Sequence, residues 1–283
     1  LSFNKKSAWL CSVSFLIIPA ASLSSFLIST DLLLLLFWSI SMVVLLNSIR
    51  NSSTYNYLLL GLFLGLAFLA KYAAIYFLIS LVILVLADKK TLGAIKKNPF
   101  GIVVFLSSFM LVLAPNILWN IKNGWITLSH TSDNANLQNI NLNFYEPIKF
   151  LLAQALMVSP LLCFSFIFFT KHFRLDFQNK FLLIFSLPTL LIVLVESSLV
   201  RANANWAAPA LISLFVFLFR FLDEKKPSLL KINFVLNYFI AIFLFISIMV
   251  SLNNKVFDRI RGLDSFAIEV SEIIKNKNLA ISD

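Results

Sequence analysis

The chain reads as an all-α integral membrane protein: a polytopic helical bundle of about nine transmembrane helices, followed by the start of an external α/β domain. Three observations predict this. Of 283 residues, 60% are hydrophobic and only 13% charged, with mean hydropathy +0.91, whereas soluble globular domains carry roughly 25% charged residues. Apolar runs of bilayer-spanning length, about 20 residues each, follow one another with short polar breaks. The Lys and Arg residues in those breaks fall mainly on one side.

Taken in order, the apolar runs lie at about 8–28, 32–49, 57–70, 72–87, 100–118, 148–169, 181–198, 207–222 and 232–251. The pair 57–70 and 72–87 is short, with Lys71 and Tyr72 between, so it reads either as two helices or as one kinked helix. Charge decides. With two helices, one side receives Lys5, Lys6, Arg50, Lys89, Lys90, Lys96, Lys97, Lys171, Arg174, Lys180, Arg220, Lys225, Lys226 and Lys231. The other receives only Lys71, Lys122, Lys149 and Arg201 before the C-terminal tail. Such a bias marks the cytoplasmic side. One kinked helix would erase it. The two-helix reading therefore stands, with the first residue cytoplasmic and the last extracytoplasmic.

Composition also excludes functions. A net charge of +10 would point to nucleic acid in a soluble chain, but here the cations occupy short interhelical loops and act as topology determinants. No nucleic-acid partner is indicated; the lipid bilayer is. Cys11 and Cys163 lie inside apolar runs, so neither a disulfide framework nor a metal cluster is expected. Residues 1–251 form the polytopic region. Residues 252–283 change character: a turn at Phe257–Gly262 leads to an amphipathic helix capped by Asp264, with Leu263, Phe266, Ala267, Val270, Ile273 and Ile274 at helical spacing. Leu279–Ile281 reads as the beginning of a strand, so 252–283 is expected to open a truncated extracytoplasmic domain.

The polar residues that interrupt the apolar runs gather on the side poor in Lys and Arg. Ser29, Thr30 and Asp31 precede an apolar helix, where Asp31 can cap free amides and complement the dipole or hold a carboxylate at the membrane surface. Lys71 ends a run containing Gly61 and Gly65, a face for close helix contact; it can snorkel or offer a phosphate a point charge. Pro115, Asn116, Trp119, Asn120, Asn123, Gly124 and Trp125 open an external loop reaching Pro147. They combine turn chemistry and an aromatic belt with groups able to hydrogen-bond and stack on a sugar. His130 has no paired ligand spacing. Glu196, Arg201, Asn205 and Trp206 share one short loop, where Arg201 can grip a phosphate or simply pair with Glu196. Ionisable groups at a membrane edge are costly and mark function.

In these stretches the chain resembles the membrane glycosyltransferases of the C-type fold, in the branch similar to protein O-mannosyltransferases and aminoarabinose transferases (glycosyltransferase family 39). The resemblance is carried by Ser29–Asp31, by Gly61, Gly65, Lys71 and Tyr72, by Pro115–Trp125, and by Asn205, Trp206 and Pro209. Arg261 and Gly262 match a fifth element, but Leu263 stands where that family has Trp. The resemblance implies a bacterial inner-membrane enzyme that moves a sugar from a polyprenyl-phosphate donor to an acceptor hydroxyl outside the cytoplasm. That hydroxyl belongs to a glycan, a lipid or a protein. A carboxylate takes the acceptor proton and basic side chains stabilise the leaving phosphate. The resemblance places the principal carboxylate in a loop that precedes this chain, so the fragment alone is expected to be inactive, and Asp31 matches a second acidic position. Lys71 and Arg201 become candidates for the phosphate. Tyr72, Asn116, Asn120, Trp125, Asn205 and Trp206 become candidates for lining the substrate cleft. No cofactor beyond the lipid-linked sugar is implied, and a divalent metal is left open. The alternative is a transporter or flippase of lipid-linked saccharides, which would place polar groups near mid-membrane in broken helices; here they cluster at one end.

Overall fold

A computed structural model describes residues 4–25, 29–134, 142–169, 175–200, 202–250 and 263–274. Among these residues every regular element is helical. Five helices are long and apolar enough to cross a membrane, or up to seven if two sharply bent pairs each count as one span, and Thr54–Ala70 is a shorter apolar helix. The protein is an all-α polytopic membrane protein. Its outer surface agrees: Leu86, Leu111 and Phe243 are largely exposed, a costly arrangement in water that lipid tails remove.

The first helices are α1 (Lys5–Leu16) and α2 (Pro19–Ser24). The run expected as one span over 8–28 is thus broken, because Pro19 lacks the N–H that would continue α1 and instead begins α2. Next come α3 (Thr30–Arg50), α4 (Thr54–Ala70) and α5 (Ile75–Ala87), with a short 3-10 turn at Tyr72–Ala74 between the last two. Lys71 is extended, with φ −162° and ψ 134°, so α4 stops there. The far end of α5 lies beside the start of α4 and the end of α3: Leu81, Val85, Tyr57, Leu45 and Ile49 line one cavity. The chain therefore doubles back at Lys71, as the two-helix reading requires.

Then follow α6 (Lys89–Lys97), α7 (Pro99–Lys122) and α8 (Ile126–Asn134). The stretch expected as an open loop from Trp119 to Pro147 is partly helical: α7 runs on to Lys122 and α8 covers Ile126–Asn134, while 135–141 lie outside the described residues. Close packing of α4 on α7 rests on glycine. A Cβ at Gly61 would overlap both Ser108 Oγ and the Phe105 carbonyl oxygen, and one at Gly65 would fall 2.8 Å from Val112 Cβ.

The second half contains α9 (Tyr145–Val158), α10 (Pro160–Phe169), α11 (Phe177–Ile184), α12 (Leu187–Leu199), α13 (Ala208–Lys225) and α14 (Pro227–Met249). The run 148–169, expected as one span, bends by 108° between α9 and α10. Ser159 takes φ 156° at the corner, a conformation rare for a side-chain-bearing residue. Its hydroxyl is held by Asn233 Oδ1 of α14 at 2.5 Å. Lastly α15 (Leu263–Ile274) includes the expected amphipathic segment, beginning one residue before Asp264. The turn at Phe257–Gly262 and the strand at Leu279–Ile281 lie outside the described residues.

An aromatic core holds α3, α5 and α11 together. Trp38 is fully buried, its ring 5.0 Å from Phe77 and 6.3 Å from Phe185, both edge-on, the geometry that ring quadrupoles favour. This core fixes the helix ends on which the polar groups sit.

Candidate active site

The helix ends at one pole of the bundle bring together residues far apart in sequence. Asp31 lies in the first turn of α3. The N-cap there is Ser29, whose side chain makes no capping bond, and the Asp31 carboxylate reaches sideways. Its Oδ1 accepts from Lys71 Nζ at 2.5 Å and its Oδ2 from Asn205 Nδ2 at 2.9 Å. The side chains of Lys71 and Asp31 retain 26% and 17% of their exposure, enough to meet a ligand but well shielded from bulk water. The break that ends α4 places Lys71 here: its extended backbone turns the side chain toward α3. The 3-10 turn Ala204–Ala207 brings in Asn205. That turn is tied to α9, since buried Gln154 donates through Nε2 to the Ala204 carbonyl at 2.9 Å.

A second network adjoins the first. Tyr72 OH donates to Asn116 Oδ1 at 3.0 Å and lies 2.9 Å from Thr127 Oγ1. Asn120, almost fully buried, donates through Nδ2 to the Asn116 carbonyl oxygen at 3.0 Å and accepts from the Thr127 hydroxyl at Oδ1. The turn at Gly124 (φ 67°) and Trp125 (φ 60°) reverses the chain after α7 so that Thr127 can return to Asn120. Within it the Trp125 N–H donates to the Asn120 carbonyl oxygen at 2.9 Å.

Between α8 and the ends of α4 and α7 lies a cleft of about 800 Å³. Thr30, Lys71, Tyr72, Asn116, Trp119 and Thr127 line it, with His130 and Asp133 from α8. Its size and its mixture of aromatic and polar walls suit a saccharide-sized ligand. Of the residues singled out from sequence, Lys71, Tyr72 and Asn116 face the cleft directly. Asp31 and Asn205 join through Lys71, and Asn120 supports the wall from behind. Trp125 contributes its backbone to the turn and its indole is not among the cleft walls. Trp206 packs with Phe150, Val193 and Ala207. Arg201 lies outside the described residues, and Glu196 stands in the last turn of α12. Thr127 is a wall residue that sequence reasoning does not find: a lone Thr opening a short helix carries no signal until its partners are known. Among the described residues no three His, Cys, Asp or Glu side chains gather as a metal site.

The other pole is basic and differently organised. Arg220 pairs with Asp176 at 2.6 Å and with Glu224 at 3.3 Å, and Lys180 pairs with Asp88 at 3.5 Å. The polar cluster and the basic cluster thus occupy opposite ends of the bundle.

Residues 1–119 match the family described as dolichyl-phosphate-mannose-protein mannosyltransferase. The resemblance to C-type glycosyltransferases is borne out. The matched segment contains Asp31, Lys71, Tyr72 and Asn116, whereas Asn120, Thr127 and Asn205 lie beyond it. Over 227 residues, 79% of the chain, the sequence is 28% identical to lipid A galacturonosyltransferase RgtD of Rhizobium johnstonii. The chain spans 47% of that relative's length, about half. No solved structure matches the chain.

Proposed function

We propose that this chain is the membrane-embedded part of a glycosyltransferase that moves a sugar from a polyprenyl-phosphate donor to an acceptor hydroxyl at the extracytoplasmic surface. The observation that carries the reading is the Lys71–Asp31–Asn205 cluster beside a cleft of about 800 Å³, at the pole opposite the basic one. The basic pole is cytoplasmic by the positive-inside rule, which leaves the cleft facing outward, where the sugar is presented.

The chemistry follows from the residues. In transfer, the bond between the anomeric carbon and the phosphate oxygen breaks, the acceptor oxygen bonds to that carbon, and its proton passes to a carboxylate. Negative charge grows on the departing phosphate. Lys71 supplies a compact cation with three N–H donors, one of which Asp31 occupies. An arriving phosphate draws Lys71 toward itself, and Asp31 Oδ1 is released to orient the acceptor hydroxyl. Asn205 keeps the carboxylate aimed while this exchange occurs. By the resemblance, Asp31 serves as the second acid of the reaction rather than as its main proton acceptor. Tyr72, Asn116 and Asn120 form the polar wall for the sugar or acceptor. Similarity to an enzyme named for lipid A favours a lipid acceptor with a saccharide head.

The test uses the full-length protein in proteoliposomes supplied with polyprenyl-phosphate-linked sugar and a glycolipid acceptor. Asp31→Asn is expected to lower turnover by about tenfold or more, with membrane insertion intact. Lys71→Ala is expected to raise the KM for donor more than the KM for acceptor. Unchanged turnover in both variants would remove this cluster from the reaction.

A further inference from the structure

The basic pole carries a cavity that the proposed transfer does not use. Helix α6 turns 98° away from α5 and presents Lys89, Lys90, Lys96 and Lys97 at its two ends. Its buried face, Thr91 and Ala94, rests on the bundle. A short helix with this pattern is built to lie in a membrane surface. Beneath it is an almost wholly apolar cavity of about 240 Å³, walled by Leu45, Leu60, Val85, Ala94, Ile95 and Phe105. Adjoining it at Ile49 is a recess of about 90 Å³ that includes Arg50 and Lys90.

The charges here are lopsided. Three acids of this pole are already engaged: Asp88 accepts from Thr91 and pairs with Lys180, while Asp176 and Glu224 both pair with Arg220. Arg50, Lys89, Lys90, Lys96 and Lys97 are exposed, and among the described residues none of them pairs with a carboxylate. Lys90 instead sits 5.1 Å over the Phe177 ring. A hydrocarbon-lined cavity abutting uncompensated cations is complementary to an anion with a fatty tail.

We propose that this pole binds one anionic phospholipid, with an acyl chain in the cavity beneath α6 and the phosphate on Arg50 and Lys90. Each half of the site selects for a different part of the molecule. A soluble anion would satisfy the cations and leave the cavity unused. A zwitterionic phospholipid would fill the cavity, but its own headgroup cation would oppose Arg50 and Lys90. The site is independent of the transfer chemistry at the other pole.

The experiment is native mass spectrometry of the full chain in detergent micelles, exposed to equal amounts of phosphatidylglycerol and phosphatidylcholine with identical acyl chains. Phosphatidylglycerol is expected to be retained about five-fold or more over phosphatidylcholine, the scale set by one basic side chain at an anionic surface. Arg50→Gln with Lys90→Gln should abolish that preference while some lipid is still retained. Ala94→Phe, which fills the cavity, should reduce retention of both lipids; if it does not accumulate, Ile102→Trp at the cavity rim replaces it. Equal retention of the two lipids by the unmodified protein would overturn the proposal. So would undiminished preference after Arg50→Gln with Lys90→Gln, or undiminished retention after the cavity is filled.

Discussion

At the scale of single residues, the polar pole depends on Asp31 having two partners. Breaking a shielded ion pair from one side leaves the other charge poorly solvated, which costs several kcal/mol in a fully buried setting. Lys71 and Asp31 retain some water contact, so Lys71→Met should cost less, about 1–2 kcal/mol. Adding Asp31→Leu should restore part of that loss, a non-additivity that thermal unfolding of the single and double variants in detergent would reveal. Tyr72 has a separate task. Its hydroxyl touches both Asn116 and Thr127, joining the end of α7 to α8. Tyr72→Phe should cost about 1–3 kcal/mol locally and raise hydrogen exchange across Ile126–Asn134, with the rest of the bundle unchanged.

At the scale of elements, the contact of α4 with α7 is set by the absence of side chains. Because a Cβ at Gly61 would overlap both a hydroxyl and a backbone carbonyl oxygen, repacking one side chain cannot relieve it. Gly61→Ala should therefore destabilise by about 1–3 kcal/mol or more. No atom lies within 4 Å of the place a Cβ would take at Gly93, so Gly93→Ala in α6 should be tolerated. Comparing the two by thermal unfolding separates a packing effect from a general intolerance of substitution. The Gly61 and Gly65 pair was legible in the sequence as a small-residue face, though which helix it met was not. The corner at Ser159 was not legible either: an apolar run of the right length reads as one span, and the bend depends on Asn233, 74 residues away.

At the scale of the whole molecule, the ion pairs of the basic pole should make stability depend on acid. Hydrogen bonding to Arg220 is the chief reason the Asp176 carboxyl is held below its ordinary value of 3.8, outweighing the opposing effect of burial. At Asp88, burial pushes the other way, but the hydrogen bonds from Thr91 and the nearby Lys180 prevail, so its carboxyl is also lowered. A depressed folded value means the stabilisation is fully present above about 3.8 and is lost as pH falls through the folded values. The unfolding temperature should thus decline below about pH 4, and Asp176→Asn should flatten part of that decline. Sidedness offers a second check. With Cys11 and Cys163 replaced by Ala, a cysteine at the exposed Ser132 should be labelled by a membrane-impermeant maleimide in intact cells. One at Lys97 should react only after permeabilisation.

The membrane class was readable from the residues alone. Run length and apolar content are local, additive quantities, and bilayer thickness converts them into membrane-crossing helices without knowledge of any contact; the count of Lys and Arg in each loop gives the sides to be expected. Which polar groups meet emerged only from the packed bundle. Asp31 and Asn205 stand 174 positions apart and Asp31 and Lys71 stand 40, and no local propensity encodes such pairings; they arise because aromatic packing between helices brings those helix ends to one level. The bend that turns α6 across the basic pole is likewise tertiary: Asp88 caps the helix locally through Thr91, but the face carrying Thr91 and Ala94 is buried only because the bundle lies against it.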